Sequence, residues 1–192
     1  MVAKEKLMTS DSSRYSLANL SQEVLIREAI LDDAQPLSSL YNFYVKSSTA
    51  TFAVQEESPE DRRAWLLHHE ARKMPVFVAD LDGRVLGFAS VSPYHDRCAY
   101  AGTCELSVYV DPNCLGKGLG KALIDRLMEH CRTRYHAVLA LICSENDASL
   151  KLFASRGFKQ VGRLQEVGYK FDRYLDVSIL QLILPNSNGS KR

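Results

Sequence analysis

The sequence has no excess of charge of either sign, no long apolar run and no paired-cysteine pattern, and each lack excludes something. Lys and Arg total 24 against 23 Asp and Glu, for a formal net charge of +1. No global field therefore steers the chain toward nucleic acid or an anionic membrane, and any anion it holds must be caught locally. The longest strongly apolar stretch, Ala137 to Cys143, falls far short of the roughly 20 residues that span a bilayer. Met1 to Leu20 mix Lys4, Lys6 and Arg14 with Glu5 and Asp11 around no apolar centre, unlike a secretory signal or a transit peptide. The cysteines, Cys98, Cys104, Cys114, Cys131 and Cys143, are odd in number, and none stands at zinc-knuckle or redox-pair spacing from another. His68 and His69 are adjacent on a helix and diverge, while His95, His130 and His136 have no partner at ligand spacing. The expectations are free thiols in a reducing compartment, no metal, no membrane, no nucleic acid and a cytoplasmic location.

What is present suits one globular domain. At 192 residues, with 46% hydrophobic and 24% charged, the chain is long enough for one full core and short for two. Residues 1–21 and 185–192 are polar and without period, and read as loose tails around a domain at 22–184. Val24 to Ile30 reads as a strand, and Leu37, Leu40, Tyr41, Tyr44 and Val45 recur at helical spacing. Ser58 caps a second helix, with Pro59 at its first position and Glu60 and Asp61 in its positive first turn. Asp82-Gly83 joins two strands as a hairpin, and Thr103 to Asp111 alternates, with Cys104, Leu106, Val108 and Val110 on one face and Thr103, Glu105, Ser107 and Tyr109 on the other. Leu119, Leu123, Leu127 and Cys131 mark a long helix; a buried strand, a short helix ended by Gly157 and two closing strands follow. This order predicts an α/β (mixed α+β) fold: a central mixed, largely antiparallel sheet with helices on its faces.

The strongest chemical signal is Gly116-Lys117-Gly118-Leu119-Gly120 at the start of the long helix. Glycines allow left-handed dihedrals and close backbone approach, and a helix start offers unpaired N–H groups with partial positive charge, which suits a pyrophosphate. A tight strand-to-helix turn holding nothing is the plainer account. The spacing disfavours a dinucleotide fingerprint, because Lys121 stands where the third glycine belongs, and a P-loop, because Gly118 follows Gly116-Lys117.

Glu105 to Asp111, the glycine cluster, Asn146-Asp147 with Leu152-Phe153 and Gly157-Phe158, and Gly168-Tyr169-Lys170 with Asp176-Val177 together resemble the GNAT superfamily of N-acetyltransferases. Thr49 to Phe52 with Ser58-Pro59, and Arg97 to Tyr100 with Thr103 and Glu105, are similar to its phosphinothricin and methionine sulfone/sulfoximine branch. The resemblance implies acetyl-CoA as co-substrate, a small amino acid or analogue acetylated on its α-amino group, and a homodimer. It implies that the backbone of Val108, Tyr109 and Val110 pairs with the pantetheine arm and that Gly116, Lys117, Gly118, Leu119, Gly120 and Lys121 hold the pyrophosphate. Asn146 would bond the pantetheine, serve as a helix cap, or both. Phe52, Arg97, Tyr100 and Ser107 would meet the acceptor.

Acetyl transfer to an amine needs a neutral nitrogen, a polarised carbonyl and a proton for the leaving thiolate. By the resemblance Glu105 is the general base; the plainer account is a solvent-facing or ion-paired carboxylate. Two departures from the family pattern stand out. Leu115 replaces an Arg or Gln that would face a phosphate, and Phe153 replaces a Tyr that would donate a proton; the thiolate then leaves unprotonated, takes its proton from the incoming ammonium, or is served by another group such as Tyr169. Both losses are compatible with a second function class, a non-catalytic acetyl-CoA-binding module or sensor. Arg97 belongs to an acceptor site, is an exposed loop charge, or forms an ion pair with Asp96.

Overall fold

The computed structural model describes residues 13–16, as backbone, and 23–185. Twelve elements follow one another: β1 Ser13–Ser16, β2 Glu23–Glu28, α1 Ala34–Ser47, α2 Pro59–Ala71, β3 Val76–Leu81, β4 Arg84–Pro93, β5 Thr103–Val110, α3 Leu119–Arg132, β6 Ala137–Cys143, α4 Asp147–Ala154, β7 Lys159–Lys170 and β8 Arg173–Ile183. The eight strands form one sheet in the order β1-β2-β3-β4-β5-β6-β8-β7, antiparallel throughout except for β5 beside β6. The expected architecture is therefore present, with one correction to the tail expected at 1–21. Ser13–Ser16 pair with Glu23 to Ile26 as an edge strand; the rest of 1–21, and 186–192, lie outside the described residues. This strand carries one aromatic and three polar residues, so no apolar alternation announces it.

Helices cover both faces. On one, the apolar stripe of α3 (Leu119, Leu123, Leu127, Cys131) packs on Val91, Leu106 and Val138, with Phe153 of α4 beside them. On the other, Leu37 of α1 and Leu66 of α2 pack on Val76, Val78 and Phe88. Each buried leucine contributes about 1.5–3 kcal/mol. The α2 cap forms as the sequence predicts: the Asp61 N–H donates to the Ser58 hydroxyl at 3.1 Å, and the Ser58 N–H donates to the Asp61 carboxylate at 2.9 Å. Arg27 ties β2 to the start of α1 through Asp33, at 2.7 and 2.8 Å.

The second helical layer covers only part of the sheet. Leu141 of β6, whose neighbours Ala140 and Ile142 face α3, stands 41% exposed on the opposite face. Leu164, Val167 and Ile183 on the flanking strands are exposed as well.

One irregularity positions the site. Strands β4 and β5 pair over seven positions, from Gly87↔Val110 to Pro93↔Cys104, and β6 and β8 pair over seven, from Ala137↔Ile183 to Cys143↔Val177. Between them, β5 and β6 pair only at Thr103↔Ala137, Cys104↔Val138 and Glu105↔Leu139. Past Glu105 each strand follows its own antiparallel partner, and the sheet forks.

Candidate active site

The fork encloses a cleft in two contiguous parts that share Thr49, Ala50, Val108, Asn146 and Ser149: a wide one of about 670 Å³ toward the glycine turn and a narrow one of about 280 Å³ at Glu105. A separate recess of about 770 Å³ between the β2–α1 turn, α2 and the end of α3 shares no residue with either. Across the mouth of the fork, Thr49 donates to Glu145 at 3.0 Å and Arg173 clasps the same carboxylate at 2.6 and 2.7 Å.

The wide end is mostly backbone. After β5, Asp111 caps the short turn Pro112–Cys114, accepting from the Asn113 N–H at 2.9 Å. Gly116 and Gly118 then adopt φ of +73° and +88°, the left-handed region that side chains disfavour. Gly118 is the N-cap of α3, and no side chain caps it and no acid stands in its first turn. The leading N–H groups of α3 are thus left to a ligand, and a Cβ at Gly116 would meet nothing within 4 Å. Leu119, Gly120 and Lys121 line this part of the cleft; Lys117 does not. Leu115 lies at its rim, 58% exposed.

The opposing wall is the free edge of β5. The Asp111 N–H donates to Leu86 at 2.8 Å, so by strand alternation the odd-numbered backbone groups of β5 face β4, and those of Val108 and Val110 face the gap. This corrects the expectation for Tyr109, whose carbonyl abuts Gly87 of β4 and whose ring lines the narrow end instead. The Val110 carbonyl accepts from the Tyr44 hydroxyl, which leaves Val110 its N–H and Val108 both groups. Asn146 caps α4, its Oδ1 accepting from the Ser149 N–H at 3.1 Å; the cap role is present, and its amide nitrogen remains able to donate.

At the narrow end the chemistry passes to side chains. Glu105, Ser107 and Tyr109 share a face and a wall. Among the described residues none forms a hydrogen bond or ion pair with the Glu105 carboxylate, and burial alone raises its pKa above the ordinary glutamate value. The ion-paired account of Glu105 therefore does not apply. Tyr109 stacks on Phe88 at 5.1 Å and meets Tyr41 edge-on at 5.3 Å, and burial pushes its phenol well up, so it stays protonated. The Tyr41 and Thr51 hydroxyls are 2.9 Å apart. Phe52 is part of the wall. Phe153, 2% exposed, packs edge-on against Phe158 at 5.1 Å and is a core aromatic that reaches the cavity.

Three expected residues stand elsewhere. Arg97 and Tyr100 lie on the exposed connection between β4 and β5 and line neither part of the cleft. The turn Cys98–Tyr100 carries them beyond the paired end of the hairpin, where Tyr100 packs on Tyr94 and His95 at 5.4 and 5.2 Å. Asp96 pairs with Arg72 at 3.6 Å, and Arg97 stands exposed in the loop without an acidic partner of its own among the described residues. Tyr169 is 56% exposed against Tyr174, outside the cleft. Conversely, sequence reasoning missed Tyr44, Ser149 and Cys143 as wall residues. Helical spacing marked Tyr44 as core, and nothing in the pattern distinguishes a core tyrosine from one that ties off a strand carbonyl. No group of three or more His, Cys, Asp or Glu among the described residues could hold a metal.

Comparison with known proteins narrows the chemistry. The profile of the Acetyltransferase (GNAT) family matches residues 37–158. A phosphinothricin N-acetyltransferase of Streptomyces coelicolor is 39% identical over 160 residues, covering 81% of this chain and 94% of that protein. An L-methionine sulfoximine/L-methionine sulfone acetyltransferase of Pseudomonas paraeruginosa is 38% identical over 164 residues, covering 83% and 94%. The solved structure of a GNAT superfamily phosphinothricin acetyltransferase from Sinorhizobium meliloti, in complex with acetyl-CoA, matches with a TM-score of 0.83 at 28% identity, covering 88% of this chain and 92% of that one.

Proposed function

The chain belongs to the GNAT family and is an acetyl-CoA-dependent N-acetyltransferase, and on that premise we propose that it acetylates the α-amino group of a small amino acid or analogue of the methionine sulfone and phosphinothricin kind. The observation that carries this reading is the lone, half-buried carboxylate of Glu105 at the apex of the fork, in a cavity of about 280 Å³. A carboxylate with a raised pKa and no cation beside it is suited to take a proton near neutrality. An α-amine is easier to neutralise than a lysine side chain, whose pKa is about 10.4.

Acetyl-CoA supplies the activated acyl group, and the residues present fit it. In this reading the first turn of α3 and the glycines before it hold the pyrophosphate, with Lys121 beside them. Val108 and Val110 offer their edge to the pantetheine, and the Val108 N–H polarises the acetyl carbonyl. Phe153 has no proton to give; the proton that the amine loses as the amide forms goes to the departing thiolate, to which the hydroxyl of Ser149, bordering both parts of the cleft, donates a hydrogen bond. Ser107 and Phe52 flank the acceptor.

Among the described residues no lysine or arginine lines the narrow end. Arg62, buried among Tyr41, Trp65 and Phe88, is engaged by Glu57. An anionic acceptor therefore needs a cation from the rim, and Arg97 at the tip beside the Glu105 end of β5 takes that part, with Tyr100. The uncovered face around Leu141 is the natural contact of a homodimer. No described helix is long and apolar enough to cross a membrane, and the enzyme acts in the cytoplasm. The relatives named above are enzymes, so a non-catalytic sensor finds no support in them. Thiol release from acetyl-CoA, followed with methionine sulfone, phosphinothricin and a lysine peptide in turn, tests the proposal. Rapid release with the peptide and none with the two small compounds would sink it.

A further inference from the structure

Gly168-Tyr169-Lys170 carried part of the family resemblance and has no share in the chemistry above. In the fold these residues end β7, and the first and third of them touch the loop between α1 and α2. The Lys170 residue is 4% exposed, and its ammonium donates to the carbonyls of Ser48 and Thr51 at 2.7 Å each and of Tyr44 at 3.4 Å. No ion pair to it occurs among the described residues. Three N–H donors thus meet three carbonyls, two of them from the last turn and C-cap of α1, where the helix dipole favours a cation. Gly168 resumes pairing, opposite Leu175, just after a register shift in β7, and a Cβ there would overlap Cδ2 and Cε2 of the Phe52 ring. The loop so held is the shared wall of the cleft: Thr49 and Ala50 line both parts, Thr51 and Phe52 the narrow one.

We propose that Gly168 and Lys170 are positioning residues that set the shape of the acceptor end: Lys170 anchors the α1–α2 loop at Ser48 and Thr51, and Gly168, lacking a side chain, provides the slot in which the Phe52 ring lies. The proposal rests on the reading of the narrow end as the acceptor site. A methyl group at 168 displaces the ring, and because the ring is cavity wall, the cavity changes shape. The wide end, built on the glycine turn and β5, does not feel the change. Loss of the ammonium leaves three carbonyls unmet and frees the loop.

The test uses the full chain with acetyl-CoA and methionine sulfone. Gly168→Ala should raise KM for methionine sulfone about tenfold and leave KM for acetyl-CoA within about twofold. Partial unfolding would instead lower kcat and spare both KM values. In a Phe52→Ala background the same Gly168→Ala change should cost nothing, since there is no ring to displace. Independently of any acceptor, Lys170→Met should speed amide hydrogen exchange about tenfold or more at Ala50 and Ala53, whose N–H groups are bonded within the loop to Ser48 and Thr51, while β3 is unchanged. An equal cost of Gly168→Ala with and without the ring, or unchanged exchange at Ala50 and Ala53, overturns the proposal. Should Phe52→Ala alone leave KM for every amine untouched while exchange in the loop responds as expected, the acceptor reading falls and the anchoring stands.

Discussion

At its wide end the cleft is walled by backbone: the left-handed glycines, the uncapped start of α3 and the even-numbered groups of β5. At its narrow end it is walled by side chains that separate segments deliver, among them Glu105 from β5, Phe52 from the α1–α2 loop, Leu141 from β6 and Phe153 from α4. The difference suits the two ligands. A pyrophosphate and a pantetheine arm are common to every reaction that uses coenzyme A, and backbone groups, whose N–H only proline removes, would suit them. An acceptor amine differs from enzyme to enzyme, and side chains are what sequence can change.

Substitutions at each end should therefore fail in different ways, most severely at Glu105. Glu105→Gln keeps shape but accepts no proton, and turnover should fall roughly 10²- to 10⁴-fold with acetyl-CoA affinity kept. The acid limb of the pH–rate profile, set above the usual carboxylate range, should vanish with it. Because burial raises the pKa of Glu105, its ionised form disfavours the fold. That penalty is absent below the ordinary glutamate pKa and complete above the raised one, so Glu105→Gln should raise the melting temperature at pH 8 and leave it unchanged at pH 4. Full turnover in the variant at pH 7 would remove Glu105 from the mechanism.

A lesion at the wide end should abolish binding rather than chemistry. Acetyl-CoA at 100 times its dissociation constant should stabilise the native protein by about 2.7 kcal/mol. Gly118→Val, forced into a φ of +88° and filling the space over the helix start, should erase that shift. A shift preserved in the variant would locate the phosphates elsewhere. At the rim, Arg97→Ala should raise KM for methionine sulfone about tenfold and spare KM for acetyl-CoA, with Arg97→Lys intermediate because it keeps the charge and loses the fork. Identical constants for wild type and Arg97→Ala would exclude the rim cation. The smallest effect belongs to Leu115. Leu115→Arg, exposed and screened, should tighten acetyl-CoA only about two- to fivefold, and less at high salt, as isothermal titration can measure.

The same division explains how far the sequence could be read. The glycine turn is contiguous, so its residues announce themselves together; so does the alternation that puts Glu105, Ser107 and Tyr109 on one face. That alternation concerns side chains, and it says nothing of which backbone groups face β4 until the partner strand is known, which is why Tyr109 was expected on the open edge. Arg97 and Tyr100 sit in a connection without period, whose path no hydrophobic pattern sets. Lys170 lies in a strand whose exposed neighbours give no hint that one lysine turns inward to three carbonyls on α1 and its loop. The strand at Ser13–Ser16 was invisible because it is polar.

The three-residue ladder between β5 and β6 also has a mechanical side. Two antiparallel blocks, each tied along seven residue pairs, are stitched to one another only through Glu105 and the two residues before it. Any force that spreads the blocks, such as a bulky group wedged between the start of α3 and α4, acts on a lever whose pivot is that stitch. Displacement grows with distance from a pivot and is smallest beside it. On the proposed function, an opening at the phosphate end would therefore leave the carboxylate at the stitch nearly in place, and the geometry of proton transfer would be insulated from the traffic of the larger substrate.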